Sequence, residues 1–384
     1  MRGVYDPGVK RRHDMPSASP ARSSRPAPQP ARSSGALAPA SGSCEAPGSD
    51  PLSDVLRAVR LTGAVFFRVE ATAPWVIEMP DTSALVSVTL PRAQHVISYH
   101  VVTRGSCCGA LLDGASVQLE QGDVLVFPHG DPYVMSIAPG MRGGPDPAEV
   151  LAFMGQMVTG RLPFTVAEGG GGREQLGLVC GFLGCDVHPF NPLLAALPRL
   201  LHVRRAFVAD DPLGRLIDFA IAESQERRAG GECVRLRLSE LMFVEVVRRY
   251  LAGLPAEQTG WLAGLRDRTV GRALALLHER PGEAWTLERL AKAVGLSRSA
   301  LAERFTHFVG DPPMQYLTRW RMQAAARLLA DGEAKVSAVA RRVGYDSEAA
   351  FSRAFKKAAG VPPAAWRTRY ATPPAADRPP ARPR

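Results

Sequence analysis

Apolar residues are spaced in three different ways along this chain of 384 residues. The first 50 positions carry no periodic pattern: Ala, Pro, Ser and Gly fill 30 of them, and Tyr5 is the only aromatic. Such a segment buries too little apolar surface to offset its ordering entropy, which predicts a disordered tail over 1–50. The five prolines within 371–384 predict a second tail. From 51 to about 163 the apolar runs are short. A helix is expected over 54–61 and strands over 64–70, 75–78, 84–88 and 95–102, separated by turn signals such as Asp113-Gly114 and Gln121-Gly122. Many short strands with this punctuation predict a β-sandwich or small barrel. After the glycine run 169–172 comes one more strand, over 176–183, and then the spacing becomes helical. Leu213, Leu216, Ile217, Ala220 and Ile221 share one helical face, and Leu241, Met242, Val244, Val247 and Leu251 share another. Phe243, Val246 and Tyr250 widen the second stripe, which predicts a dimerisation role for 212–252.

From Val270 onward the helical pattern is duplicated. Leu287, Leu290, Ala291, Val294 and Gly295 recur 49 positions later as Val336, Val339, Ala340, Val343 and Gly344. Ser297, Ala300, Phe305, Gly310, Pro312 and Pro313 recur 50 positions later as Ser347, Ala350, Phe355, Gly360, Pro362 and Pro363. Each copy reads as helix, glycine turn, helix, with Gly295 or Gly344 in the turn and Ser297 or Ser347 capping the second helix. Between the copies a helix is predicted over 313–330, about 27 Å long at 1.5 Å per residue. That is close to the ~34 Å between successive major-groove faces of B-DNA.

Charge changes the picture. The net charge of +10 resolves into +3 over 1–50, −3 over 51–268, +8 over 269–370 and +2 over 371–384. A basic C-terminal region joined to a near-neutral one predicts a polyanion partner for the former. Only 5 of the 47 basic residues are Lys, so arginine abundance alone does not argue for phosphate recognition. No apolar stretch reaches the ~18 residues of a membrane helix, and no apolar core follows the N-terminal Arg2, Lys10, Arg11 and Arg12, which predicts a cytoplasmic protein with no membrane partner.

The segment 265–370 resembles the AraC/XylS transcriptional regulators. The motifs are Gly295-Leu-Ser-Arg-Ser-Ala-Leu-Ala-Glu-Arg-Phe305, Gly310-Asp-Pro-Pro-Met-Gln-Tyr-Leu-Thr-Arg-Trp-Arg-Met322 and Val343-Gly-Tyr-Asp-Ser-Glu-Ala-Ala-Phe-Ser-Arg-Ala-Phe-Lys-Lys357. The part from Asp50 to Pro198 is similar to the cupin-type sensor found in one branch of that family. The resemblance implies an α+β multidomain chain: a cupin-like β-barrel sensor over 51–200, a helical dimerisation or linker segment over 201–262, and an all-α DNA-binding domain with two helix-turn-helix units over 265–370. It puts base readers at Arg298, Ser299, Ala302 and Glu303 in the first unit and at Glu348, Ala349, Ser352 and Arg353 in the second. An arginine suits guanine O6 and N7, a glutamate suits cytosine N4, and an alanine suits the thymine methyl. Arg304, Arg319, Arg321, Lys356 and Lys357 are expected on phosphates. The implied partners are double-stranded DNA and a second copy of the chain, with RNA polymerase a further candidate.

Gly122-Asp-Val-Leu-Val-Phe-Pro-His-Gly-Asp-Pro-Tyr133 is similar to the second cupin motif, with Tyr133 where a metal-binding histidine is expected. His100 stands in the first motif without a His-x-His pair, so no metal, no cofactor and no enzymatic role are expected. The rival readings are a metal-dependent cupin enzyme with an accessory helical domain and a constitutive DNA binder whose barrel only dimerises. Ser98, His100, His129 and Tyr133 are the candidate polar groups of a small-molecule effector pocket in the barrel mouth. The cysteines (Cys44, Cys107, Cys108, Cys180, Cys185, Cys233) are too scattered for a disulfide scaffold. Cys180 and Cys185 are the candidates for a competing redox trigger.

Overall fold

A computed structural model describes residues 50–371 other than 60, 92, 160, 206–210, 226–227, 256 and 333–334. The expected tails lie outside the described residues save for Asp50 and Ala371, and so does Cys44. The first half opens with α1 (Pro51–Ala58), capped by the Asp50 carboxylate, which accepts from the Leu52 N–H. It continues through β1 (Leu61–Thr72), β2 (Val76–Met79), α2 (Thr82–Thr89), β3 (His95–Arg104), β4 (Ser106–Leu111), β5 (Val117–Glu120), β6 (Val124–Phe127), β7 (Tyr133–Ser136), α3 (Pro147–Val158), β8 (Thr165–Gly169), β9 (Gln175–Cys185), α4 (Pro192–Ala196) and β10 (Leu201–Val203).

The described strands form two sheets rather than the closed barrel expected. One has six strands in the order β10-β6-β3-β9-β1-β8, and the other has four in the order β2-β7-β4-β5. Only β1 and β8 pair in parallel. No ladder joins the edges of the two sheets among the described residues, so they close face to face as a sandwich whose inner side chains supply the cohesion. A second difference lies at 84–88, expected as a strand and found in α2. Asp81 caps that helix by accepting from the Ser83 N–H, and Leu85 is fully buried, so the cap and the packing override the β-propensity of Val86 and Val88.

Strand alternation divides the six-stranded sheet into two faces. On β9, Leu176, Leu178, Cys180 and Phe182 enter the core between the sheets, whereas Val179, Leu183 and Cys185 enter a second core on the opposite face. Gly181 leaves room on that strand for the Tyr99 ring, which a Cβ there would meet at 1.9 Å. The Tyr99 hydroxyl in turn bonds Ser239 Oγ at 2.7 Å, tying the sheet to the helices that follow.

Those helices are α5 (Pro212–Gln225) and α6 (Gly231–Gly253). The apolar stripe expected to serve a partner is covered by the chain itself. Met242, Phe243 and Val246 are buried against Tyr99, Val124 and Val126 of the large sheet. Phe219 and Leu241, about half exposed, are the large apolar residues that remain open on these two helices.

The C-terminal part comprises α7 (Trp261–Arg266), α8 (Arg268–Glu279), α9 (Leu287–Val294), α10 (Arg298–Val309), α11 (Pro313–Ala330), α12 (Val336–Arg342), α13 (Glu348–Ala359) and α14 (Pro363–Tyr370). The core on the outer face of the large sheet runs without interruption through α7, α8, α9 and α10 to Tyr316, Leu317 and Trp320 at the start of α11. A separate core formed by Met322, Ala326, Leu329, Val339, Phe351, Phe355 and Trp366 holds α12, α13 and α14 on the rest of α11. The one long helix is therefore shared between two cores.

Candidate nucleic-acid interface and sensor cavity

Two local constructions present the expected reading residues. At the first, Gly295 ends α9 with φ 75°, a left-handed conformation that favours glycine, and its N–H bonds the carbonyls of Ala291 and Lys292. Ser297 Oγ then accepts from the Ala300 N–H at 3.2 Å and starts α10. Leu301 and Phe305 point inward and are fully buried, which leaves Arg298, Ser299 and Glu303 exposed and Ala302 half-buried. The second construction repeats the first. Gly344 takes φ 81°, Ser347 Oγ accepts from the Ala350 N–H at 3.4 Å, and Phe351 and Phe355 are buried. Glu348, Ala349 and Arg353 are exposed on α13 and Ser352 is half-buried; Lys356 and Lys357 stand exposed at its end.

The other three expected phosphate contacts are held within the chain. Arg304 grips the Asp267 carboxylate through Nε and Nη2. Burial works against ionisation of Asp267, but that pairing and two backbone N–H donors hold its pKa below the usual carboxylate range. Arg319 pairs with Asp311 and lies over the Phe190 ring at 4.1 Å. Arg321, half-buried, donates to the carbonyls of Pro281 and Glu283 at 2.7 Å each, and its guanidinium lies against Gly344. It fastens the loop after α8 to the turn after α12, which engages two of its five N–H donors within the chain.

A buried aromatic chain supports this region. Trp261 Nε1 donates to the Tyr316 hydroxyl at 2.9 Å, the hydroxyl meets His278 Nε2 at 2.7 Å, and the His278 ring stacks on Trp320 at 3.8 Å. Burial pushes the His278 pKa down to about 3, and burial does the same to His100. Both rings are neutral in the fold, whereas an unfolded histidine takes a proton near pH 6.5. The unfolded chain thus binds more protons between these values, so stability is complete above about pH 6.5 and falls as pH drops toward 3. Each ring is expected to remove about 1 to 2 kcal/mol between pH 7 and pH 5. Urea midpoints at the two pH values check this, and equal midpoints would contradict it.

In the first half, the inner faces of the two sheets and α3 border a small apolar cavity of about 30 Å³. Its walls include Phe67, Val69, Met135, Val150, Met154 and Phe182. The polar groups at it are His100, Cys180 and Glu168, the last accepting from Trp75 Nε1 at 2.6 Å. Of the four residues expected in an effector pocket, His100 lines this cavity. Tyr133 stands directly behind, with its hydroxyl 2.8 Å from His100 Nε2, and Cys180 Sγ is 3.2 Å from His100 Nδ1. Ser98 is fully buried on the same strand but does not line the cavity. His129 is elsewhere, with Nε2 at 2.8 Å from the Leu197 carbonyl. Sequence reasoning missed Trp75, Glu168 and the α3 residues; the capping box of Asp146 and Glu149 was the available signal for that helix.

The two candidate redox thiols are not brought together. Cys180 and Cys185 lie on opposite faces of β9, both are buried, and burial pushes both thiol pKa values up. A thiol of that kind is protonated and shielded, which opposes the accessible thiolate a redox trigger needs. Among the described residues no three His, Cys, Asp or Glu side chains converge as metal ligands. No helix among them is long and apolar enough to cross a membrane.

Comparison with known proteins agrees with both halves. Residues 50–252 match the model of the cupin family, and residues 290–369 match that of a helix-turn-helix domain. A putative AraC-like transcription regulator of Streptomyces lividans is 32% identical over 324 residues, covering 83% of this chain and 98% of that one. The HTH-type transcriptional regulator AlkR of Acinetobacter baylyi is 28% identical over 80% of this chain and 95% of its own. Among solved structures, the DNA-binding domain of AdpA in complex with a target DNA is 30% identical over 27% of this chain and 94% of that one, with a TM-score of 0.26. With a cupin half, a helix-turn-helix half and relatives that are themselves matched almost end to end, the chain belongs to the AraC-like transcription regulators.

Proposed function

We propose that this regulator reads DNA with two helix-turn-helix units, α9–α10 and α12–α13, carried at opposite ends of α11. The observation that carries this reading is the matched pair of glycine turns and serine caps, each with its polar face exposed, in the segment of +8 charge. Arg298, Ser299, Ala302 and Glu303 on α10, with Glu348, Ala349, Ser352 and Arg353 on α13, are the base readers. Lys356 and Lys357 are the phosphate contacts. The functional division is a sensor over 51–200, a linker and dimerisation segment over 201–262 and a DNA-binding region over 265–370. The protein acts in the cytoplasm, without catalysis, as a homodimer whose contact includes Phe219 and Leu241.

The effector site in this reading is the cavity between the sheets. Its walls are apolar, and its polar groups already bond one another or Trp75, which suits an uncharged apolar molecule that widens this small cavity on entering, rather than a sugar or an anion. Direct evidence for sequence reading comes from titrating the full chain against its own upstream DNA and against random duplex at one salt concentration. The expected ratio of affinities is about a thousandfold or more. A ratio near one would show a charge-driven binder and remove the base-reader assignments.

A further inference from the structure

We propose that Gln323 is a positioning residue that couples the cavity between the sheets to the helix carrying both reading units; this rests on the reading of that cavity as the effector site. Gln323 sits in the middle of α11 and is 1% exposed. It is a polar residue at the point where one core ends and the next begins, seven positions after Tyr316 and six before Leu329. Both ends of its amide are used on backbone groups of the sensor half. The Phe190 N–H donates to Oε1 at 3.0 Å, and Nε2 donates to the Ala58 carbonyl at 2.9 Å.

The two gripped groups are not arbitrary points of the sensor. Ala58 lies just before β1, which supplies Phe67 and Val69 to the cavity wall, and Phe190 lies just after β9, which supplies Cys180 and Phe182. The two strands pair regularly from Ala64 opposite Leu183 to Thr72 opposite Gln175 and, after a register shift, again at Leu61 opposite Cys185, the end nearest Gln323. Beyond that pair the Asp186 N–H still reaches the Val59 carbonyl at 2.8 Å. Paired chain therefore leads from the cavity wall to within a few residues of both groups that the amide holds. A buried side chain with both ends satisfied tolerates little displacement of either partner, because a lost bond leaves a buried polar group without a partner. An occupant that shifts this paired chain favours one placement of α11 over another, and the spacing of α10 and α13 on DNA follows.

The test is a cycle of four full-length proteins whose Kd for upstream DNA is measured: the parent chain, Val150→Phe, Gln323→Met and the double variant. Val150 lines the cavity from α3, so phenylalanine there serves as a built-in occupant, while methionine at 323 keeps volume and removes both bonds. Val150→Phe is expected to shift Kd by about fivefold or more in the parent chain, the lower end of ordinary allosteric coupling, and by less than about twofold in the Gln323→Met background. Equal shifts in both backgrounds would overturn the role of Gln323 and leave the cavity reading standing. No shift in either would overturn the cavity reading and this inference with it. Amide exchange supplies a readout that needs no substitution at 323: Val150→Phe should change the protection of the Phe190 N–H, and unchanged exchange there would also overturn the proposal.

Discussion

Val246→Asp is expected to unfold the first half of the molecule. Val246 is 1% exposed and packs with Met242 and Phe243 against the large sheet. A carboxylate there loses the apolar contact and must either stay charged in a dry core or take up a proton, and the cost of such a replacement is several kcal/mol. That is a large share of the ~5 to 15 kcal/mol that separates folded from unfolded domains. Circular dichroism and urea unfolding of the variant check this, and a chain that unfolds at the parent's urea concentration would contradict the packing described. The buried stripe of α6 is thus an intrachain core face, and the proposed dimer contact is tested at the exposed Phe219 and Leu241, where paired Phe219→Arg and Leu241→Arg changes leave the core intact.

Arg353→Ala is expected to weaken binding to the cognate site by about 1 to 3 kcal/mol, roughly five- to 150-fold, and to relax preference at one base pair. The side chain is exposed on α13, between the buried Phe351 and Phe355 anchors that fix the helix on its core. Lys356→Ala, one turn further along, is expected to weaken specific and random DNA alike and to flatten the salt dependence. Binding curves for both variants on both duplexes make the comparison. An equal loss on the two duplexes for Arg353→Ala would move it from reading to charge neutralisation.

The elements legible in the sequence are those specified by neighbours along the chain. The helix over 313–330 coincides with α11 because proline opens it, Asp331-Gly332 ends it and its apolar stripe has helical spacing. The strand over 95–102 and the two helical faces within 212–252 follow from equally local spacing. What failed depended on distant contacts. Residues 84–88 read as a strand by propensity, yet Asp81 and the packing of α2 on α3 make them a helix. The strands of 124–127 and 133–136 are buried on both faces, so no alternation marks them. The cavity draws on both sheets and α3, which no spacing rule collects. Only its His100 was foreseen, and the network with Tyr133 and Cys180 arises from pairing of β3 with β9 at His100 opposite Cys180. Gln323 left one trace in sequence: an amide on the apolar face of a helix that otherwise buries Tyr316, Leu317, Trp320 and Ala326.

Footprinting of the full-length protein on its own upstream DNA tests whether one chain sets two reading helices on one duplex. With α11 about 27 Å long between the two units, protection is expected over two major-groove segments about one helical turn, or ~10 base pairs, apart on the same side of the DNA. Within the same experiment, Arg353→Ala should weaken protection of the segment read by α13 more than that of the segment read by α10. A single protected segment, unaltered by Arg353→Ala, would contradict the account.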